Sequence, residues 1–217
     1  MPLAKFDLSL LETRQPAFLV GVDEAGRGPL AGPVTACAAW VPLSSHSLIS
    51  PLVNDSKKLS ASKRERALSL MHASGVRFGF GFARPAEIDS ENILEATFNA
   101  MGAAVRRLLR CTGAAPERTL LLVDGPHRIK RLESCAQHPV VDGDAKSLSI
   151  AAASIYAKVI RDRWMCVLDA RHPGYGLAGH KGYGTAAHLE ALRRLGPSPQ
   201  HRFSFAPVRK SSRTAVQ

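Results

Sequence analysis

Apolar positions along the 217-residue chain recur with two different periods, and the switches between them predict its elements. Residues 17–22 and 34–41 are short apolar runs joined by Gly26-Arg27-Gly28-Pro29-Leu30-Ala31-Gly32-Pro33, a turn-rich segment that predicts an antiparallel strand pair. Ser62-Lys63-Arg64-Glu65 has the form of a capping box opening a helix that stops near Gly75. Residues 76–83 alternate Val and Phe with Arg and Gly, a third strand. From about Asp89 or Ser90 to Arg110, one face collects Ile93, Leu94, Phe98, Met101, Val105 and Leu108, which predicts one long helix. Residues 119–123 are continuously apolar, as in a strand buried on both faces, and Val140-Val141 sit in another short strand. Residues 149–170 and 185–195 read as helices, the second closed by Gly196. The succession predicts an α/β fold, a mixed sheet flanked by helices over residues 17–171. A basic helix-and-loop extension over 172–208 and a disordered tail over 209–217 follow.

Composition narrows the function class. The chain is 45% hydrophobic and 22% charged, which is globular, and its formal charge is +11, which points to a polyanionic partner, nucleic acid first and an anionic membrane surface second. No apolar run approaches the roughly 20 residues that a spanning helix needs. Residues 1–16 carry Asp7 and Glu12 and lack the pattern of a secretory leader, so a soluble, cytoplasmic protein is expected. Cys37, Cys111, Cys135 and Cys166 are far apart, form no C-x-x-C pair and are expected to be inert thiols rather than zinc ligands. Residues 1–145 hold 17 basic and 15 acidic side chains, whereas residues 146–217 hold 12 and 3. A body that keeps its carboxylates, joined to a basic arm, fits an enzyme that grips a polyanion and cuts it with metal ions.

The carboxylates fall where strands are predicted to end: Asp23-Glu24, Asp124 before Gly125-Pro126, and Asp142-Gly143-Asp144. Catalytic groups collect at such strand ends, where loops leave the core. Carboxylates gathered without histidine or cysteine favour hard cations such as Mg2+ or Mn2+, and two such ions suit phosphodiester hydrolysis. Successive strand residues face opposite ways, so Asp23 and Glu24 share a site only if the strand breaks there, which Ala25-Gly26-Arg27-Gly28 would supply. The same loop offers close backbone approach and Arg27 for a phosphate or base edge. It matches neither a P-loop nor a dinucleotide fingerprint. Lys57 and Lys58, just before a helix start, can position phosphate, and Tyr183 between Gly182 and Gly184 can lie against a sugar or base. His201-Arg202-Phe203-Ser204-Phe205 is ambiguous between such a role and packing.

These residues carry a family resemblance. The segment Gly21-Val22-Asp23-Glu24-Ala25-Gly26-Arg27-Gly28-Pro29-Leu30-Ala31-Gly32-Pro33-Val34 resembles the signature of bacterial ribonuclease HII. So do Asn54-Asp55-Ser56-Lys57-Lys58-Leu59-Ser60, Val123-Asp124-Gly125, Gly143-Asp144-Ala145-Lys146-Ser147, Ile150-Ala151-Ala152-Ala153-Ser154-Ile155, His180-Lys181-Gly182-Tyr183-Gly184 and the His201–Phe205 segment, in order over about residues 20 to 208. The resemblance implies a ribonuclease H-like fold with a C-terminal helical extension. It implies a metal-dependent endonuclease that hydrolyses the RNA strand of RNA–DNA hybrids and cuts 5′ to single ribonucleotides in duplex DNA, leaving 3′-hydroxyl and 5′-phosphate ends. It assigns Asp23, Glu24, Asp124 and Asp144 as the carboxylates that hold Mn2+ or Mg2+, two ions during catalysis. Gly26, Arg27 and Gly28 become the loop that senses the ribose 2′-OH, Tyr183 the ring against the sugar, and Lys57, Lys58 and Lys146 further substrate-binding positions. A monomer is expected, with a sliding clamp as a candidate partner. Asp142 departs from the family pattern; two residues from Asp144, it would share a strand face with it and stand near the metal, or else be a surface substitution. A non-catalytic basic RNA-binding module accounts for the charge but gives no reason for carboxylates at three strand ends. Another metal nuclease or integrase of related fold leaves the Gly-Arg-Gly loop and Tyr183 without an explanation.

Overall fold

The computed structural model describes residues 2–214. Among these, five strands form one sheet: β1 (Phe18–Ala25), β2 (Val34–Trp40), β3 (Arg77–Ala83), β4 (Thr119–Asp124) and β5 (Ala136–Val140), in the order β3-β2-β1-β4-β5. β1 pairs antiparallel with β2 and β2 with β3, whereas β1–β4 and β4–β5 are parallel, so the sheet is mixed as the sequence predicts. Around it lie α1 (Pro2–Arg14), α2 (His46–Ile49), α3 (Ala61–Ala73), α4 (Pro85–Glu91), α5 (Ile93–Thr112), α6 (Leu148–Arg171), α7 (Leu177–His180), α8 (Ala186–Leu195) and α9 (Ala206–Thr214). None of the described helices is long and apolar enough to cross a membrane.

Strand alternation sorts the core into two layers. Val20, Val22, Ala36, Ala38, Leu121 and Val123 turn to one face and pack under Phe98, Met101, Val105 and Leu108 of α5. Leu19, Leu120 and Leu122 turn to the other face, where α6 lies with Ile150. Gly21 belongs to that second face, and its smallness sets how closely α6 approaches: a Cβ there would stand 2.1 Å from the Ser149 carbonyl carbon. Asp23 and Asp124, two residues beyond Gly21 and Leu122, continue the same face.

Several expectations shift at the element ends. The helix at 62 begins earlier, because Ser60, not Ser62, is the N-cap and accepts from the Lys63 N–H. The single helix expected over 89–110 is two, α4 and α5, divided by Asn92 at φ 91°. Its side chain caps the second by accepting from the Leu94 and Glu95 N–H groups. Residues 209–214, expected to be disordered, belong to α9, which Val208 anchors by full burial with Leu30, Met165 and Leu192; residues 215–217 lie outside the described part. At the other terminus α1 docks through buried Asp7, which accepts from the Ser149 N–H and hydroxyl at the start of α6.

Candidate active site

β1 stays paired with β2 out to Ala25↔Thr35, but its pairing with β4 ends at Val22↔Val123. The two parallel strands therefore part beyond Val22 and Val123, and a cavity of about 220 Å³ opens there. Asp23, Glu24, Gly26, Arg27, Gly28, Lys57, Asp124 and Tyr183 line it, together with Ser56, Ser154, Lys158 and Arg161, which sequence reasoning did not assign. The expected break between Asp23 and Glu24 is absent: the strand runs through both, and they reach one cavity because its pairing with β4 has already ended at Val22. The turn comes at Gly26, whose φ of 96° and contact with Arg161 leave no room for a side chain.

Asp23 is buried on the α6 face and accepts from the Glu24 N–H and the Ser154 hydroxyl. Ser154 can donate there because Ser56, 2.9 Å away, donates to it in turn. Burial, with the charges of Glu24 and Asp124, raises the Asp23 carboxyl well above the usual carboxylate range. Burial also raises Glu24, against the pull of Arg27, whose guanidinium stands 3.5 Å from it. Asp124 is raised by burial and by Asp144, although the Gly143 N–H donates to its Oδ1 at 2.7 Å. Asp144, nearly buried, does not line the cavity; the Lys57 ammonium contacts it at 3.2 Å. Burial opposes the charge on Lys57, but Asp144 and then Asp23 outweigh it and raise its pKa.

The four carboxylates thus lie within one another's field and carry only oxygen donors, the chemistry of a hard divalent cation. They do not form the tight cage expected: among the described residues no three Asp, Glu, His or Cys side chains stand together as a ready ligand group. Lys58 turns to Asp55 at 3.8 Å, and the Lys146 ammonium donates to the Val141 carbonyl at 2.6 Å; neither lines the cavity. Asp142 is exposed, in a left-handed conformation at φ 54°, because β5 ends at Val140. It shares no strand face with Asp144.

Two buried arginines hold the loop. Arg202, fully buried, donates to the carbonyls of Gly26, Arg27 and Gly32, with its guanidinium 5.2 Å from the Phe205 ring centre. Arg161 donates to Ala31, Pro33 and Lys181. Burial lowers their pKa values to about 9 and about 10, still high enough to keep both charged at neutral pH. This resolves the ambiguous His201–Phe205 segment as structure behind the loop. Ser56, Ser154 and Arg202 stood inside the motifs; Arg161 showed only as a charge in an apolar helix. Tyr183 is 48% exposed, and its ring edge faces Gly28, where an added Cβ would be 3.7 Å away.

Comparison with known proteins identifies the family. A family model described as Ribonuclease HII matches residues 20–208. The chain is 48% identical over 213 residues to Ribonuclease HII of Citrifermentans bemidjiense, covering 96% of this chain and 88% of that protein. Among solved structures it resembles ribonuclease H2 from Pyrococcus horikoshii OT3 with a TM-score of 0.69 and 25% identity, over 92% of this chain and 99% of the other. Bst-RNase HIII, solved in complex with Mn2+, shares the fold at a TM-score of 0.69 and 20% identity, over 91% and 70%. With the family model spanning strands, loop and extension alike, the chain belongs to the ribonuclease HII family.

Proposed function

We propose that the cavity beyond Val22 and Val123 is the active site of this ribonuclease H. There the RNA strand of an RNA–DNA hybrid is hydrolysed, and duplex DNA is cut 5′ to a single embedded ribonucleotide. The observation that carries this reading is the raised, mutually repelling set Asp23, Glu24 and Asp124, facing a Gly-Arg-Gly loop and an exposed tyrosine in one cavity. Buried carboxylates that repel one another are a poor surface for phosphate unless cations intervene.

Asp23, Glu24, Asp124 and Asp144 would hold the cation, with substrate phosphate oxygens completing a shell that the chain alone leaves open. Bound there, Mn2+ or Mg2+ supplies positive charge to the phosphate being cut and to the leaving oxygen. Ser154 and the Glu24 N–H hold the Asp23 carboxylate in place, and the Lys57 ammonium holds the Asp144 carboxylate. Gly26 and Gly28 bring backbone close to the sugar, while the Tyr183 ring beside Gly28 packs against it. Arg27 is free enough, at 51% side-chain exposure, to leave Glu24 for a phosphate. The basic extension holds the duplex, whose products carry 3′-hydroxyl and 5′-phosphate ends.

The test is cleavage of duplex DNA with one embedded ribonucleotide, with and without Mn2+ or Mg2+. Product should form only with the ion, and Asp124→Asn should abolish it while hybrid binding persists. Metal-independent binding with no product from the unaltered protein would favour a binding module instead.

A further inference from the structure

Behind Tyr183 lies a chain of buried histidines to which the reaction assigns no part. His188 and His201 are both fully buried, with their Nε2 atoms 3.0 Å apart. His188 Nδ1 stands 2.9 Å from the Tyr183 carbonyl oxygen, an acceptor only, so this nitrogen carries the proton. His201 Nδ1 receives the Ser198 N–H at 3.0 Å, so this nitrogen is bare. The polarity at the two ends meets without conflict in the middle: His201 Nε2–H donates to His188 Nε2. A proton added to His188 would land on Nε2 and set two N–H groups against each other at the 3.0 Å contact, whereas one added to His201 would land on Nδ1 and face the Ser198 N–H. His180, stacked on His188 with ring centres 4.3 Å apart, obeys the same logic. Its Nδ1 receives the Gly182 N–H, and its Nε2–H donates to the Tyr175 carbonyl.

We infer that His180, His188 and His201 form a relay of fixed tautomers that positions Tyr183 against the Gly26–Gly28 loop, making them positioning residues for recognition of the ribose at the cut. This rests on the role given to Tyr183 above. The relay grips the main chain on both sides of the ring's attachment point, at Gly182 N–H and Tyr183 C=O, while the Gly182 carbonyl accepts from the Leu30 N–H of the loop. The backbone that aims the ring is thereby tied to the loop that the ring faces. Burial lowers the pKa of His188, and burial with the adjacent His188 and the nearby His172 and His180 lowers that of His201 to about 4; both rings are therefore neutral at neutral pH.

Two measurements decide the matter. Nitrogen-15 NMR of the histidine rings in the full-length protein at neutral pH should find His201 and His180 as Nε2–H tautomers and His188 as the Nδ1–H tautomer. A cationic ring or the opposite tautomer overturns the relay. The second is the ratio of kcat/KM on a single-ribonucleotide duplex to that on a long hybrid. His188→Leu should lower this ratio about tenfold, the scale of one lost buried hydrogen bond, and His188→Asn, which keeps a donor at the Nδ1 position, should restore most of it. In a Tyr183→Ala background His188→Leu should change the ratio no further. Equal losses on both substrates, no rescue by Asn, or full additivity with Tyr183→Ala overturns the positioning role. If Tyr183→Ala itself leaves the ratio unchanged, the sugar-facing role of Tyr183 fails, while the tautomers still report on the relay by themselves.

Discussion

Asp23 shows how function is held against stability at a single residue. It is buried, flanked by Glu24 and Asp124, and relieved by donors from Ser154 and the Glu24 N–H. An asparagine oxygen can accept both of those hydrogen bonds without the charge, so Asp23→Asn should remove cleavage yet raise the melting temperature of the metal-free protein by about 2–4 °C. A melting temperature that falls would show that the carboxylate is structurally required rather than strained. Arg161 and Arg202 are the converse case, buried cations that replace carboxylate partners with loop carbonyls and so fix backbone rather than neutralise charge.

Among the elements, the α4–α5 junction concentrates local strain. Asn92 holds φ 91° and ψ 160°, a region that glycine tolerates best, and repays part of the cost by capping α5. Asn92→Ala keeps the strain and loses the cap, so unfolding by denaturant should show a loss of about 2 kcal/mol, whereas Asn92→Gly should lose less. Equal losses would mean that the cap alone matters. The break was illegible in the sequence because the apolar stripe from Ile93 to Leu108 is preceded by residues that also favour helix, and only the backbone turn at Asn92 separates the two. Strands were legible from their apolar runs and turn residues, and with them the placement of Asp23, Glu24 and Asp124 at strand ends. Of the two readings of Asp142, the strand face shared with Asp144 failed because β5 stops at Val140, and its exposure fits a surface substitution. The support from Arg161 and Arg202 was hidden for a different reason. Apart from the Lys181 carbonyl, their acceptors lie more than a hundred residues away along the chain, and no local pattern records such a meeting.

On the scale of the whole molecule, charge and acid are separated along the chain: the last 72 residues carry 12 of the 29 basic side chains and only 3 of the 18 acidic ones. If that surplus grips phosphate, hybrid affinity should fall by about tenfold or more between 50 and 200 mM salt. A flat response in a filter-binding or anisotropy titration would assign the basic surface to something other than the duplex. The hydrogen bonds from Arg202 to Gly26 and Arg27 join positions 176 and 175 residues apart. A ribosome making this chain therefore releases the catalytic strands long before the residue that braces their loop has been synthesised. The nascent polypeptide passes most of its synthesis without this brace and acquires it only as translation finishes.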